Sequence, residues 1–377
     1  MCKVEACFQP LGQAPSRALP LLGHSRNRRA RVNEPPIVFT KISLCALLSF
    51  VIAAAIRAEQ VEKFVFEKAE MGVPFRITLY AASEAVAKAA ADAAFARVEA
   101  LNAIFSDYED DSELAKLSRS SGSGHAVKVS DELWTVLARA QALAARTDGA
   151  FDVTCGPLTS MWRRARRKQE LPGPDLVAEM RSRVGWRKLR LDEKARTVEL
   201  LGPEMRLDLG SIAKGFACDE ALRVLRAHGC PRALVAGSGD MVAGDPPPGR
   251  KGWRIEVVAL DVGSPAEESK PVVVEFANAA IATSGDRFQR VEIGGKRFSH
   301  ILNIRSGQPL TDHSLVSIIA RDGITADSLA TAASALGPTE GMKLVAETPG
   351  VVARFQRQPE RKVEIAESPG WADLVVE

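Results

Sequence analysis

The chain has 377 residues, 46% hydrophobic and 26% charged, which suffices for one large domain or two lobes and excludes a disordered chain. Its formal charge is +3, but residues 1–58 hold eight Lys/Arg against two Asp/Glu, so residues 59–377 carry about −3. That balance gives nucleic-acid binding no support.

Residues 1–58 read as a leader. An uncharged run of 15 residues, Ile42 to Ile56, lies between Lys41 and Arg57. A bilayer-spanning helix needs roughly 20 residues. The run instead matches the apolar centre of an export signal, with small residues at Ala53-Ala54-Ala55 and Ala58. The mature domain then covers 59–377, and membrane association arises only through an uncleaved leader. Leu44 before Cys45 gives a lipoprotein signal no support, and the long basic segment before Pro35-Pro36 suggests a translation start near Val38. Cys155, Cys218 and Cys230 form no CxxC pair and read as small core residues.

Strands are expected at Val61–Phe66 and Phe75–Tyr80, joined through Met71-Gly72. An Ala-rich helix spans Ser83–Phe105, with Ala91, Ala94, Phe95, Val98, Leu101 and Ile104 on one stripe. A turn over Phe105–Leu114 contains Tyr108 and leads into a short helix. Ser130 caps a further helix that stops at Asp148-Gly149, and Phe151–Leu158 is an apolar stretch ending at small residues. The basic cluster Arg163–Lys168 reads as a solvated loop. Strands follow at Leu189–Leu191, Thr197–Leu201 and Met205–Leu207.

Leu207–Asp219, reading LDLGSIAKGFACD, is a strand end followed by a helix start that carries Lys214 in its first turn. Free N–H groups, the helix dipole and a cation there could hold an anion such as phosphate; the alternative is a capped helix with Lys214 in solvent. Further strands are expected at Ala233–Ala236, Trp253–Leu260, Val272–Asn278, Phe298–Asn303 and Leu315–Ala320, with a hairpin turn at Gly294-Gly295. A last helix begins at Thr325 and ends at Gly337-Pro338. Strands outnumber helices without alternating with them, which points to α+β.

Asp327 and Thr331, four apart on that helix, offer hard oxygen donors suited to Mg²⁺, or serve as a dipole partner and a packed side chain. His300 is either a general base or a satisfied core histidine. The dinucleotide GxGxxG, the P-loop and the GxSxG elbow are absent.

Taken together and in order, Met71-Gly72, Phe105–Leu114, GAFDVTCGPL from Gly149, DLGSIAKG from Asp208, Thr283-Ser284-Gly285, Ser299-His300-Ile301 and ADSLAT from Ala326 resemble the ApbE family of FAD:protein FMN transferases over about 61–345. The resemblance implies a two-lobed, T-fold-related arrangement of mixed sheets and flanking helices, with FAD in the cleft between lobes. It implies Mg²⁺ at Asp327 and Thr331, with backbone oxygens of Ser211 and Ala330. FAD would lie against Met71, Tyr108, Ala150, Phe151, Asp152, Asp208, Lys214 and Ile301, and His300 would be the base. The implied reaction is Mg²⁺-dependent transfer of FMN to a Ser/Thr hydroxyl of an acceptor protein, such as a redox-pump or electron-transfer subunit, in the periplasm. FAD hydrolysis and non-catalytic FAD binding use the same pocket. Asn303 departs from the family, which has Asp there, and so leaves room for water as nucleophile.

Overall fold

The two strands expected before residue 81 form the first hairpin of an eight-stranded sheet in the computed structural model, which describes residues 61–260, 271–287, 290–359 and 363–377. The leader over 1–58 lies outside the described residues. The strands are β1 (Glu62–Glu70), β2 (Val73–Ala81), β3 (Ala233–Gly237), β4 (Asp240–Ala243), β5 (Ala279–Gly285), β6 (His313–Ala320), β7 (Val352–Gln358) and β8 (Glu364–Glu367). Their order in the sheet is their order in the chain, and each neighbour pair is antiparallel. The sheet is therefore a meander, and the rest of the domain is carried on its connections.

The connection from β2 to β3 holds α1 (Glu84–Phe105), α2 (Glu113–Arg119), α3 (Asp131–Arg146), α4 (Gly156–Lys168), α5 (Pro174–Ser182) and α6 (Ala213–Ala227). Ser83, Ser112 and Ser130 cap α1, α2 and α3 by accepting the N–H three residues on, as Ser does at a helix start. Between β6 and β7 runs α7 (Gly323–Ala346), interrupted at Gly337, whose φ of 78° ends the first part before Pro338 opens the second.

Period-two alternation separates the two faces of the sheet. Phe75, Ile77, Leu79, Val235, Val316 and Ile318 join Val98, Leu101, Ala221 and Leu329 in the main core beneath the helices. Tyr80, Leu234, Met241, Ile281 and Ile319 pack instead on Trp253, Ile255, Val274 and Phe276, from a three-stranded sheet formed by Trp253–Val257, Val272–Phe276 and Val375–Val376. Helices, large sheet and small sheet make three layers, the α+β arrangement expected. Strand β6 is buried along its whole length because both faces are covered.

Two expected strands differ. Met205–Leu207 makes a single parallel bridge, Cys155 to Arg206, because the Asp208 N–H is drawn to the Val153 carbonyl and the segment lies against the start of α4. The segment Phe298–Asn303 is broken. Its first strand, Lys296–Ser299, ends before His300, and a second begins at Leu302.

Candidate functional site

The β1–β2 turn, the β3–β4 turn, the end of β5 and the start of β6 lie at one end of the meander, as the registers Phe75 to Gly237 and Ala282 to Asp240 require. A cleft of ≈1080 Å³ opens there, at the upper end of the range for small-molecule sites. Every site residue inferred from the sequence lines it: Met71, Tyr108, Ala150, Phe151, Asp152, Asp208, Ser211, Lys214, His300, Ile301, Asp327, Ala330 and Thr331.

The first wall forms where α6 meets α7. Gly215 and Gly323 face each other so closely that a Cβ on Gly215 would lie 2.1 Å from the Gly323 carbonyl oxygen. This approach lets Asp327 Oδ2 accept the Gly215 N–H at 3.0 Å. The helix start that could have taken a phosphate thus takes a carboxylate of the protein itself. Lys214 is not a solvated lysine. Its Nζ sits 2.8 Å from Asp240 and 3.8 Å from Asp327, and its side chain is 23% exposed. Although burial opposes its charge, these two carboxylates raise the lysine's pKa. Burial, with the Asp240 charge second, pushes Asp327 up to about 7, against the opposing pull of Lys214 and the Gly215 N–H. Two carboxylates thus share one ammonium, leaving a negative charge uncompensated when both are ionised.

Thr331 follows Asp327 by one turn of α7, and its hydroxyl lies 3.4 Å from that of Ser284. The Ala330 carbonyl accepts the Ser334 hydroxyl at 2.9 Å. Among the described residues no three His, Cys, Asp or Glu side chains converge on a metal position. A cation here would rest on a carboxylate and neutral oxygens, with substrate oxygens and water completing the shell. That donor chemistry fits Mg²⁺.

The second wall centres on Arg163. The basic cluster read as a loop is in fact the end of α4, where Leu158, Met161, Trp162 and Ala165 bury one face and Arg163 turns into the cleft. The guanidinium forks between Asp107 and Asp208, with its Nη2 2.7 Å from Asp208. Its Cζ also lies 4.5 Å from the centre of the Tyr108 ring. Asp208 Oδ1 accepts the Gly210 N–H at 2.8 Å, so both carboxylate oxygens are engaged. Asp107 has a raised pKa, from burial first and the Asp208 charge second. Arg163 is the residue that sequence reasoning missed. The helical spacing of the apolar residues around it is the signal that could have found it.

Phe151 and Asp152 are buried beside this wall. Asp152 Oδ1 accepts the Thr154 N–H at 2.8 Å and its hydroxyl at 2.7 Å, and so fixes the turn before α4. Burial raises the Asp152 pKa against those bonds.

The third wall is the β5–β6 connection. Its hairpin turns at Gly294-Gly295, with φ of 59° and 73°, as the sequence predicts. The chain then bends at His300-Ile301. The Ser299 N–H donates to Leu310 O at 2.8 Å, the Leu310 N–H to Ile301 O at 2.9 Å, and Ser299 Oγ accepts the Ile301 N–H at 3.1 Å. His300 is half-buried on the cleft at the bend, so it is neither a strand residue nor a fully buried core histidine. Asn303 shapes the next turn. Its Oδ1 accepts the Ser306 N–H at 3.1 Å and its carbonyl the Gly307 N–H at 2.8 Å, and it is not among the cleft-lining residues. Its lack of charge therefore bears on a turn that either an amide or a carboxylate can form.

The three-layer α+β fold superposes on solved structures of ApbE proteins. The sequence model of the ApbE family matches residues 71–355, and the chain belongs to that family. A protein named FAD:protein FMN transferase from Chlamydia muridarum is 30% identical over 72% of this chain and 83% of its own. Another of that name, from Treponema pallidum, is 32% identical over 77% and 84%. The solved structure of flavin transferase ApbE from Vibrio cholerae superposes with a TM-score of 0.74 at 26% identity, covering 83% of this chain and 99% of that one. The apo flavinyl transferase ApbE of Pseudomonas stutzeri gives 0.73 at 26%, covering 83% and 97%.

Proposed function

We propose that this enzyme transfers FMN from FAD to a Ser or Thr hydroxyl of an acceptor protein and releases AMP. The observation that carries the reading is the convergence, in one cleft, of an oxygen-donor corner, an aromatic and carboxylate wall, and a histidine at a bend. The names of the relatives point the same way.

In this reading Tyr108, Met71 and Phe151 bind planar and apolar parts of FAD, while Asp208 and Lys214 orient its polar parts. His300 takes the proton of the acceptor hydroxyl. The oxygen then forms a bond to the FMN phosphorus as the anhydride bond to AMP breaks, which leaves FMN as a phosphoester on the acceptor. Asp327, Thr331 and the backbone oxygens of Ser211 and Ala330 would hold Mg²⁺, which neutralises charge on phosphoryl oxygens. Export to the periplasm, supported by the apolar run at 42–56, and an acceptor that is a redox-pump or electron-transfer subunit belong to the same proposal. The departure that left room for water as nucleophile, Asn303, works in a turn outside the cleft lining.

Incubation with FAD, Mg²⁺ and a candidate acceptor tests the proposal. The acceptor should gain the mass of FMN while AMP appears in equal amount, and changing its Thr to Val should abolish the adduct. His300→Ala should slow transfer by roughly 10² to 10⁴. Free FMN released at one rate with or without acceptor, and no label on any acceptor, would overturn it in favour of hydrolysis.

A further inference from the structure

Arg163 lies outside every motif that carried the family resemblance, yet it touches three of the residues those motifs contain. Its guanidinium ties Asp107 and Asp208 together from opposite sides, and both carboxylates are more than nine-tenths buried. Without that cation two neighbouring carboxylates would repel each other in a buried wall, facing a substrate that is itself anionic. Arg206 helps from behind by donating to the Asp107 carbonyl.

The same guanidinium lies over the Tyr108 ring, and Tyr108 remains 74% exposed with it in place. A tyrosine that exposed would sample several rotamers if nothing covered it. Arg163 covers one ring face and leaves the other for a planar group. The residue before it, Trp162, donates to the Gly307 carbonyl at 2.8 Å and stacks on Phe298 at 6.1 Å. Helix α4 therefore fixes Arg163 to the connection that carries His300.

We infer that Arg163 is a positioning residue for substrate binding: it presets Tyr108 and Asp208 to receive one planar ring of the dinucleotide. This rests on FAD being the substrate. The role needs a flat, forked cation. Lysine preserves the charge but can neither bridge both carboxylates in one plane nor stack as a plane on the ring.

The test compares wild type, Arg163→Lys, Tyr108→Leu and the double variant. FAD binding is read by flavin fluorescence without acceptor, transfer by kcat and KM, and folding by the melting curve. Arg163→Lys should remain folded and weaken FAD binding about tenfold, with a matching rise in KM and a smaller change in kcat. Tyr108→Leu should cost clearly less when added to Arg163→Lys than when made in wild type, because the ring is no longer preset. Additive losses in the double variant, unchanged FAD affinity in Arg163→Lys, or a fall in kcat at constant KM would overturn the inference. FAD that binds and is split without labelling an acceptor refutes the transfer reading and leaves this inference intact. Wild type that binds no FAD refutes both.

Discussion

The N–H of Gly215 donates to Oδ2 of Asp327 at 3.0 Å, joining the first turn of α6 to the second turn of α7 across 112 residues of sequence. The bond exists because Gly215 and Gly323 lack side chains: a Cβ on Gly323 would also lie 2.4 Å from the Gly215 carbonyl oxygen. Gly215→Ala should therefore push the helices apart. Overpacking of this kind costs about 1–3 kcal/mol. The expected outcome is a lower melting temperature together with loss of Mg²⁺-dependent transfer. A variant with wild-type melting and activity would show that the contact yields easily.

Asp327 itself gives a pH prediction. Its folded pKa, about 7, stands above the ordinary 3.8, so its contribution to stability is fully present below 3.8 and is lost as the pH rises through about 7. Lys214 stays cationic throughout that window. Metal-free wild type should thus lose stability between pH 4 and pH 7 in a way that Asp327→Asn does not. Mg²⁺ should raise the melting temperature of wild type at pH 8 and leave Asp327→Asn unmoved. Thermal melts with and without Mg²⁺ at pH 5 and pH 8 check both statements. Equal Mg²⁺ stabilisation of the two proteins would place the cation elsewhere.

What the sequence made legible was local. The serine cap at Ser130, the Gly294-Gly295 turn and the stop at Gly337-Pro338 each depend on a few adjacent residues. What it hid depends on partners far along the chain. Lys214 read as either a phosphate partner or a solvated lysine, because the carboxylates that hold it, Asp240 and Asp327, come from β4 and α7. Arg163 was hidden by its basic neighbours, its partners Asp107 and Asp208 lying 56 and 45 residues before and after it. The bend at His300 follows from bonds to Leu310, which no pattern within Phe298–Asn303 contains.

A second buried cluster holds the connection that carries His300. Asp286, at 1% exposure, accepts from Arg297 Nε and lies 2.6 Å from His313 Nδ1, so it ties the hairpin to the start of β6. Burial alone would raise its pKa, but His313 and Arg297 outweigh burial and hold it below the ordinary value. Its contribution is present above pH 3.8 and is lost as the pH falls through the depressed folded value. Asp286→Asn should cost about 3–5 kcal/mol, the scale for removing one member of a buried ion pair. It should slow transfer more than it weakens FAD binding, since His300 lies on the loosened segment. Wild-type kcat in this variant would mean that the bend at His300 is held by Leu310 alone.

Met71 supplies the last prediction. It occupies the first position of the two-residue turn between Glu70 and Val73, with φ of 49° followed by 74° at Gly72. Such turns favour Asn-Gly, because Asn tolerates the left-handed conformation and a methionine does not. Holding a non-glycine residue there costs about 1–2 kcal/mol. Met71 nevertheless sits at the turn and lines the cleft, partly buried against the main core. Local strain at this position thus accompanies an apolar side chain on the cleft wall. Met71→Asn should keep the melting temperature at or above that of wild type, the relieved strain offsetting the lost partial burial. Its affinity for FAD should fall. Flavin titration and a melting curve on the same preparation decide the matter: a variant that binds FAD as tightly as wild type would show that Met71 serves the fold and not the cleft.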